Sequence, residues 1–267
     1  MDALLPQEIA KKAETIGADK ARMPAVRLFA LAILAGAFIA FGAIFYSVVL
    51  VGAAEALPWG VTRLLGGLAF SLGLVLVVIG GAELFTGNTL MVMALAARRI
   101  RFGEMLRAWA IVYAGNFVGA AGTAALLVLS GQYRFADGAM GDVYLSIATA
   151  KVALPAIDLF FLAVLCNVLV CLAVWLTLGA HSTADKILAV ILPIAAFVAA
   201  GFEHSVANMF FLPLAEMIAA AQGGIAIGFE AIVVNIAVVT AGNIVGGGVL
   251  VGAVYWFVYL RNRPDVP

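Results

Sequence analysis

The side chains best suited to chemistry interrupt an apolar run in the second half of the chain. In the stretch GFEHSVANMF, residues 201–210, Glu203, His204 and Asn208 stand between apolar residues 187–202 and 209–214. A histidine titrates near neutral pH, and its ring can both donate and accept hydrogen bonds. An acid and an imidazole inside an apolar segment therefore indicate a place where a small polar species binds or passes.

Each of these residues also has a purely structural interpretation. Glu203 could cap a helix that begins near Ser205, because carboxylates favour helix N-termini. His204 could be a packing histidine with satisfied nitrogens, but ionisable residues inside a membrane usually mark pathways, and we favour that role. Asn116, Asn167 and Asn243 could instead form hydrogen bonds between helices. We prefer that interpretation for Asn116 and Asn243.

The composition indicates that membrane-spanning helices hold these side chains. The chain has 267 residues, of which 65% are hydrophobic and 11% are charged, with a mean hydropathy of +1.14. In a soluble domain roughly a quarter of all residues are charged. The net charge is zero and the longest basic cluster is Arg98, Arg99 and Arg101, so no nucleic-acid partner is expected. HExxH, GxSxG and phosphate-loop motifs are absent, so we expect neither an enzyme nor a bound cofactor or metal.

Six apolar segments are long enough to span a bilayer, which takes about 20 residues per helix. They are 26–51, 61–82, 106–129, 155–178, 187–202 and 231–260. Two shorter apolar stretches, 89–97 and 206–214, each follow a polar break and are too short to span. We predict an amphipathic cytoplasmic helix over residues 1–25, a six-span domain over residues 26–260 and a cytoplasmic tail over residues 261–267.

Lysines and arginines cluster on one side of these spans. They concentrate at both ends of the chain and in the second–third and fourth–fifth connections, while the other connections carry only Arg63, Arg134 and Lys151. Cytoplasmic connections are enriched in positive charge, so both termini of this multi-pass protein are expected in the cytoplasm. Lys151 is expected at the start of the fourth span, on the face that is poor in positive charge.

The two halves of the chain resemble each other at three places that follow in the same order. LAILAG (31–36) matches LAVLCN (162–167), Glu83 opens the break in AELFTGN as Glu203 opens the break in FEHSVAN, and AGNFVG (114–119) matches AGNIVG (241–246). The repeats cover about 26–130 and 151–260. Since each repeat has three spans, the second must be inverted in the membrane, which is typical of channels and transporters whose broken helices meet near the midplane.

At these breaks the chain resembles the formate–nitrite transporter family. GAELFTGNTL and GFEHSVANMF are similar to its two signature stretches, and the likeness extends to GGGVLVGAVYWFVYLR near the C-terminus. LCNVLVCLAVW and LPIAAFVAAGFEHSVANMFFLP look most like the formate branch. A lysine common at the FFxG position of nitrite channels is replaced here by Leu162. FTGN departs from the usual FTS of the formate branch, so nitrite and hydrosulfide stay as alternative substrates.

The resemblance implies an aquaporin-like all-α protomer, five of which form a homopentamer with one pore each in the inner membrane of a prokaryote. It implies that His204 is the central pore imidazole, that Thr86 is its hydrogen-bonding partner, that Lys151 is a vestibule lysine and that Glu203 supports the field around the histidine. It further implies two apolar constrictions, formed by residues that are ordinary in composition. The cytoplasmic one has Leu74, Leu84 and Phe85, and the periplasmic one has Phe70, Asn167, Val170 and Phe197.

These roles predict a channel for small weak-acid anions, formate first. Burying a bare anion costs far more than burying the neutral acid, so His204 would give a proton to the anion between the constrictions. Lys151 and the positive ends of the half-helices would draw anions in. A proton-coupled secondary transporter stays an alternative, whereas a water pore of aquaporin type would need paired Asn-Pro-Ala breaks. The N-terminal helix either plugs the cytoplasmic mouth or lies at the membrane surface.

Overall fold

The described part of the protein is built from helices alone. A computed structural model describes residues 4–223 and 227–261, and no strand occurs among them. Most of the predicted tail, including Arg263, lies outside the described residues. The helices are α1 (Pro6–Arg22), α2 (Ala25–Leu50), α3 (Ala53–Ala56), α4 (Trp59–Gly80), α5 (Phe85–Asn88), α6 (Val92–Ala96), α7 (Phe102–Ser130), α8 (Ala139–Val152), α9 (Ala156–Gly179), α10 (Thr183–Ala200), α11 (Ser205–Gln222), α12 (Phe229–Ile244) and α13 (Val254–Tyr259). A π-helical segment, Val245–Ala253, joins α12 to α13 without a break.

Within the described residues, seven helices are long and apolar enough to cross a membrane, one more than the sequence predicted. The additional one is α11, whose apolar stretch 206–214 was expected to be too short. The helix continues to Gln222 because Ala215, Ala219, Ala220 and Ala221 extend it with the best helix former. Of its residues 67% are buried, against 22% for α10, so α11 lies inside the protein.

The long helices pack as two groups of three with the same internal order. In the first group α2 packs between α4 and α7, and in the second α9 packs between α10 and α12. Small residues allow backbones to touch at matched places. A methyl group at Gly119 of α7 would collide with the Ile33 carbonyl of α2, and one at Gly246 would collide with the Val164 carbonyl of α9. This close packing of backbones is how helices associate where lipid provides no hydrophobic drive.

The N-terminal helix α1 lies on the protein itself. Its small residues face the body, and Gly17 sits against Ala94 and Met91. Polar contacts hold the middle of α1: Lys12 Nζ donates to the Leu178 carbonyl at 2.8 Å, and Arg99 pairs with Glu14 at 2.8 Å. Neither a free helix nor one that lies only on lipid would make these contacts.

A helix that the sequence pattern did not predict, α8, precedes the second group. It runs from Ala139 to Val152, and Lys151 is in its last turn. The expectation that Lys151 opens the fourth span was therefore wrong. Pro155 separates the two helices, because the residue before a proline disfavours helical backbone, and α9 begins at Ala156.

Candidate functional site

Two breaks with the same backbone geometry separate helices at the two polar interruptions that the sequence predicts. The first follows α4 at Gly81 (φ 72°, ψ 30°) and the second follows α10 at Gly201 (φ 78°, ψ 26°). Both conformations are left-handed, which glycine adopts without strain. The chain resumes as a helix at Phe85 in the first break and at Ser205 in the second.

One asparagine from a neighbouring helix holds the backbone of each break. Asn116 of α7 donates to the carbonyls of Ala32 and Glu83 at 2.8 and 2.9 Å, and its Oδ1 accepts from Phe85 N at 2.8 Å. Asn243 of α12 makes the corresponding set in the second break. It donates to the carbonyls of Ala163 and Glu203 at 2.8 and 3.0 Å and accepts from Ser205 N at 2.9 Å. Both asparagines are fully buried, and the preferred interpretation as hydrogen bonds between helices is confirmed.

The acid in the second break is bound by a lysine and an asparagine. Lys151 Nζ lies 3.0 Å from both carboxylate oxygens of Glu203. Asn208 donates to Glu203 Oε2 at 2.8 Å and also lies 2.7 Å from Asn235 Oδ1. Asn235 in turn donates to the Lys151 carbonyl at 2.9 Å, which ties α8 to α12. Glu203 therefore does not cap α11 with its side chain.

In the first break the glutamate is likewise bound by a lysine and an asparagine, but the lysine comes from a different helix. Lys20 of α1 lies 2.9 Å from Glu83 Oε2 and donates to Asn88 Oδ1 at 2.7 Å. Asn88 donates to the same Glu83 oxygen at 2.8 Å. A buried carboxylate is costly unless a cation and hydrogen-bond donors satisfy it, and both breaks meet this need in the same way.

His204 is the residue that caps α11. Its Nδ1 accepts from the Ala207 backbone N–H at 3.1 Å, and its Nε2 lies 2.9 Å from Thr86 Oγ1 across the interface between the two breaks. Because Nδ1 is an acceptor, the neutral ring carries its proton on Nε2 and donates to Thr86. The Thr86 hydroxyl is then free to donate its own proton. Thr86 and His204 are 0% and 2% exposed.

Asn167 supports the backbone behind Thr86. Its Nδ2 lies 3.2 Å from the Thr86 carbonyl, 3.1 Å from Thr89 Oγ1 and 2.6 Å from the Asn243 carbonyl. It lines neither of the two cavities that contain His204. Asn167 therefore connects the two breaks through hydrogen bonds, which is the structural alternative that its sequence context left open.

A very small chamber lies beside the His204 ring. Its volume is about 10 Å³, close to the minimum that holds one water molecule. His204 is its only polar lining residue among those described; the apolar ones are Ile39, Phe70, Leu74, Leu84, Val170, Ile194 and Phe197. Five of the predicted constriction residues thus meet at one place. Phe85 does not line this chamber, and packs instead on Tyr113 and Trp109 with ring centroids 5.0 and 5.9 Å apart.

Beyond Phe70 and Phe197 the chamber gives way to a wide vestibule of about 380 Å³. Its charged lining residues, among those described, are Arg63, Lys151 and Glu203, and His204 forms part of its floor. A cavity of only about 40 Å³ lies under α1, lined by Lys20, Asn88 and others. The two sides of the molecule therefore differ greatly in openness.

Sequence reasoning missed Lys20, Asn88 and the roles of Asn208 and Asn235. Two signals point to the first three. KARMPAV, residues 20–26, matches KVALPAI, residues 151–157, and each glutamate precedes an asparagine by five positions. These are further matches of the internal repeat. Asn235 carries no such signal, because its partner on α8 is set only by packing.

Comparisons with known proteins cover nearly the whole chain. Residues 7–257 match the family described as formate/nitrite transporter. Formate channel FocA of Escherichia coli is 43% identical over 276 residues, which is 98% of this chain and 96% of that protein. A solved structure described as a pentameric formate channel with formate bound superposes with a TM-score of 0.81 at 43% identity, covering 89% of this chain and 98% of the other. An ion channel of the same family superposes with a TM-score of 0.83 at 32% identity, covering 94% and 98%.

Proposed function

Because the chain belongs to the formate/nitrite transporter family, we propose that it conducts formate across the cytoplasmic membrane through the vestibule and the chamber at His204. The observation that carries this proposal is the buried contact of 2.9 Å between Thr86 and His204, set among apolar side chains where the two breaks meet. The relatives named formate channel support formate as the substrate over nitrite and hydrosulfide.

The chamber selects by removing water from the permeating species. A space of about 10 Å³ excludes a hydrated ion, and apolar walls offer no substitute for its water shell. Among the described residues, His204 is the one polar residue that lines the chamber, and the Thr86 hydroxyl lies 2.9 Å from its Nε2. The ring and the hydroxyl together provide hydrogen-bond donors. A carboxylate with three heavy atoms can accept from them while the side chains of Phe70, Phe197 and Leu84 yield around it.

His204 is therefore a hydrogen-bond donor in its resting state. To become a proton donor it must first gain a proton on Nδ1, and that atom now accepts from Ala207 N–H. Charging the ring thus requires the first turn of α11 to shift. The hypothesis that His204 protonates the anion stays a prediction, and it ties conduction to pH.

Two features of the wider architecture belong to the same proposal. The protomer is an aquaporin-like, inverted three-plus-three repeat within residues 26–260, in which α4 with α5 and α10 with α11 are the broken spans. Both termini face the cytoplasm, so α1 and Lys20 lie on the cytoplasmic side and the vestibule opens to the periplasm. The matched asparagine and glutamate contacts of the two breaks support this arrangement.

Five such protomers form the functional ring. Support comes from the relative whose structure is pentameric. Mass measurement of the detergent-solubilised complex should give five copies. A population of mainly monomers or tetramers would contradict the ring.

Flux into liposomes tests the function directly. Purified protein should carry formate faster than acetate and chloride, with nitrite and hydrosulfide as further substrates to compare. Equal passage of all these species, or no passage of formate, would refute the proposal. Saturating flux that stops without a proton gradient would instead identify a secondary transporter.

A further inference from the structure

Three of the described residues that line the wide vestibule are charged, and the charges of two of them compensate each other. Lys151 lies 3.0 Å from both oxygens of Glu203, and at distances longer than this separation the fields of the two charges largely oppose each other. The remaining charge is Arg63, the fifth residue of α4. An arginine stays protonated at any physiological pH.

Arg63 contacts groups that leave its charge intact. Its Nε donates to the Ala199 carbonyl at 2.9 Å and its Nη2 to the Val198 carbonyl at 2.7 Å. Both carbonyls belong to the last turn of α10, where helix carbonyls have no partner within the helix. The Trp59 ring lies 5.9 Å from the guanidinium carbon, an additional contact that favours a cation. None of the described residues provides Arg63 with a carboxylate partner.

The position of Arg63 also reverses the sign of the local field. The C-terminal end of a helix carries the equivalent of about half a negative charge, and α10 ends in the vestibule wall at Ala200, directly before the break. Without Arg63 this wall would repel anions. With a full positive charge on the same carbonyls, the wall attracts them.

We propose that Arg63 supplies the uncompensated positive charge that draws anions into the vestibule, while Lys151 serves mainly to neutralise Glu203. This inference rests on the proposed conduction of formate. It makes Arg63 a selectivity-determining residue at the mouth, separate from the His204 chamber. The ligand class is a small monovalent anion, held loosely by charge.

The test is formate uptake in bacterial cells that lack their own formate channels, where all copies have one orientation. Arg63→Gln keeps a hydrogen-bond donor for the α10 carbonyls but removes the positive charge. Arg63→Lys keeps the donor and the charge. At low salt the half-saturating formate concentration should rise about twofold in Arg63→Gln, as for one unit charge acting over roughly 8 Å of water. Arg63→Lys should stay near the parent, with the maximal rate unchanged in both.

Salt separates this role from a structural one. The difference between parent and Arg63→Gln should shrink as salt is raised to about 1 M, where the Debye length is about 3 Å. Arg134→Gln is the matched control, because Arg134 is an exposed arginine in a connection outside the vestibule lining, and it should behave like the parent. If Arg63→Gln fails to assemble, the proposal is tested on the other two proteins. The half-saturating formate concentration of the parent and of Arg63→Lys should then rise in parallel as salt is increased.

The outcomes separate the two proposals. A parent that carries no formate refutes the proposed function and this inference with it. A parent that carries formate, with an unchanged half-saturating concentration in Arg63→Gln or a salt-independent one in the parent, overturns the role of Arg63 alone. An Arg63→Lys variant as weak as Arg63→Gln would also overturn it, because charge would then not be the property that matters.

Discussion

The two breaks have the same hydrogen-bond framework and different side chains at their centres. Glu83 and Glu203 both bind a lysine and an asparagine, and an asparagine from the third helix of each group holds the backbone. The residue after the glutamate differs: Leu84 in the first break and His204 in the second, and both line the same small chamber. The framework is thus structural, and exchanging one apolar side chain for an imidazole adds the chemistry.

The breaks also differ in how open they are. The cation of the first comes from α1, which lies over the break and leaves a cavity of about 40 Å³. The cation of the second comes from α8, and a vestibule of about 380 Å³ remains open beside it. The source of the lysine therefore sets access, while the lysine contact itself is the same on both sides.

The largest effect is expected from removing either framework asparagine. Asn116→Leu and Asn243→Leu each leave one buried carbonyl and one buried N–H of a break without their side-chain partner, at about 1–3 kcal/mol for each group. That loss is a large fraction of the stability of a typical domain. Both variants should fail to yield a stable assembly, as measured by thermal unfolding of the purified complex. If only one of them is affected, the two frameworks are not equivalent.

A smaller, electrostatic effect is expected from Lys151→Ala. The variant should fold, but a lone Glu203 carboxylate in the vestibule should lower formate uptake at low concentration about tenfold. This is the effect of one unit charge at roughly 6 Å with an effective dielectric constant of about 40, between the values for water and for a protein surface. Removing both charges, Lys151→Ala with Glu203→Gln, should recover most of the loss. Unchanged concentration dependence in Lys151→Ala would remove Lys151 from the mechanism.

Lys20→Ala is the corresponding change at the first break. Side-chain exposure is 25% for Lys20 and 15% for Lys151, so solvent reaches the first break more readily and screens the Glu83 carboxylate that the substitution leaves unpaired. The effect on formate uptake should be smaller than that of Lys151→Ala. An equal or larger effect would show that the cytoplasmic side limits anion access.

The smallest effect is expected from Thr86→Val, which removes the hydroxyl partner of His204 and keeps the shape. One net hydrogen bond contributes about 0.5–1.5 kcal/mol, so formate flux should fall about threefold, and Thr86→Ser should restore it. Flux in liposomes at constant pH measures both. If Thr86→Ser is as slow as Thr86→Val, the methyl group rather than the hydroxyl is important.

Much of this site follows from local sequence, and the rest depends on packing. The two breaks can be predicted from a glycine that is followed by a glutamate and further polar residues inside an apolar run. No other polar cluster of this kind lies within these spans. The family resemblance brings Thr86 and His204 together. Local patterns do not predict that Asn235 would reach α8, that Phe85 would turn toward Tyr113, or that Arg63 would bind the end of α10. Those contacts depend on how helices distant in sequence are placed.

The measurement that tests the central claim most directly is formate flux against pH in liposomes for the parent, His204→Phe and His204→Asn, with assembled pentamers verified for each. His204→Phe keeps a ring without nitrogens and should abolish formate passage. His204→Asn keeps a polar group that cannot titrate and should retain some flux with altered pH dependence and anion selectivity. If both variants conduct formate like the parent across the pH range, His204 only packs, and the account of this site is wrong.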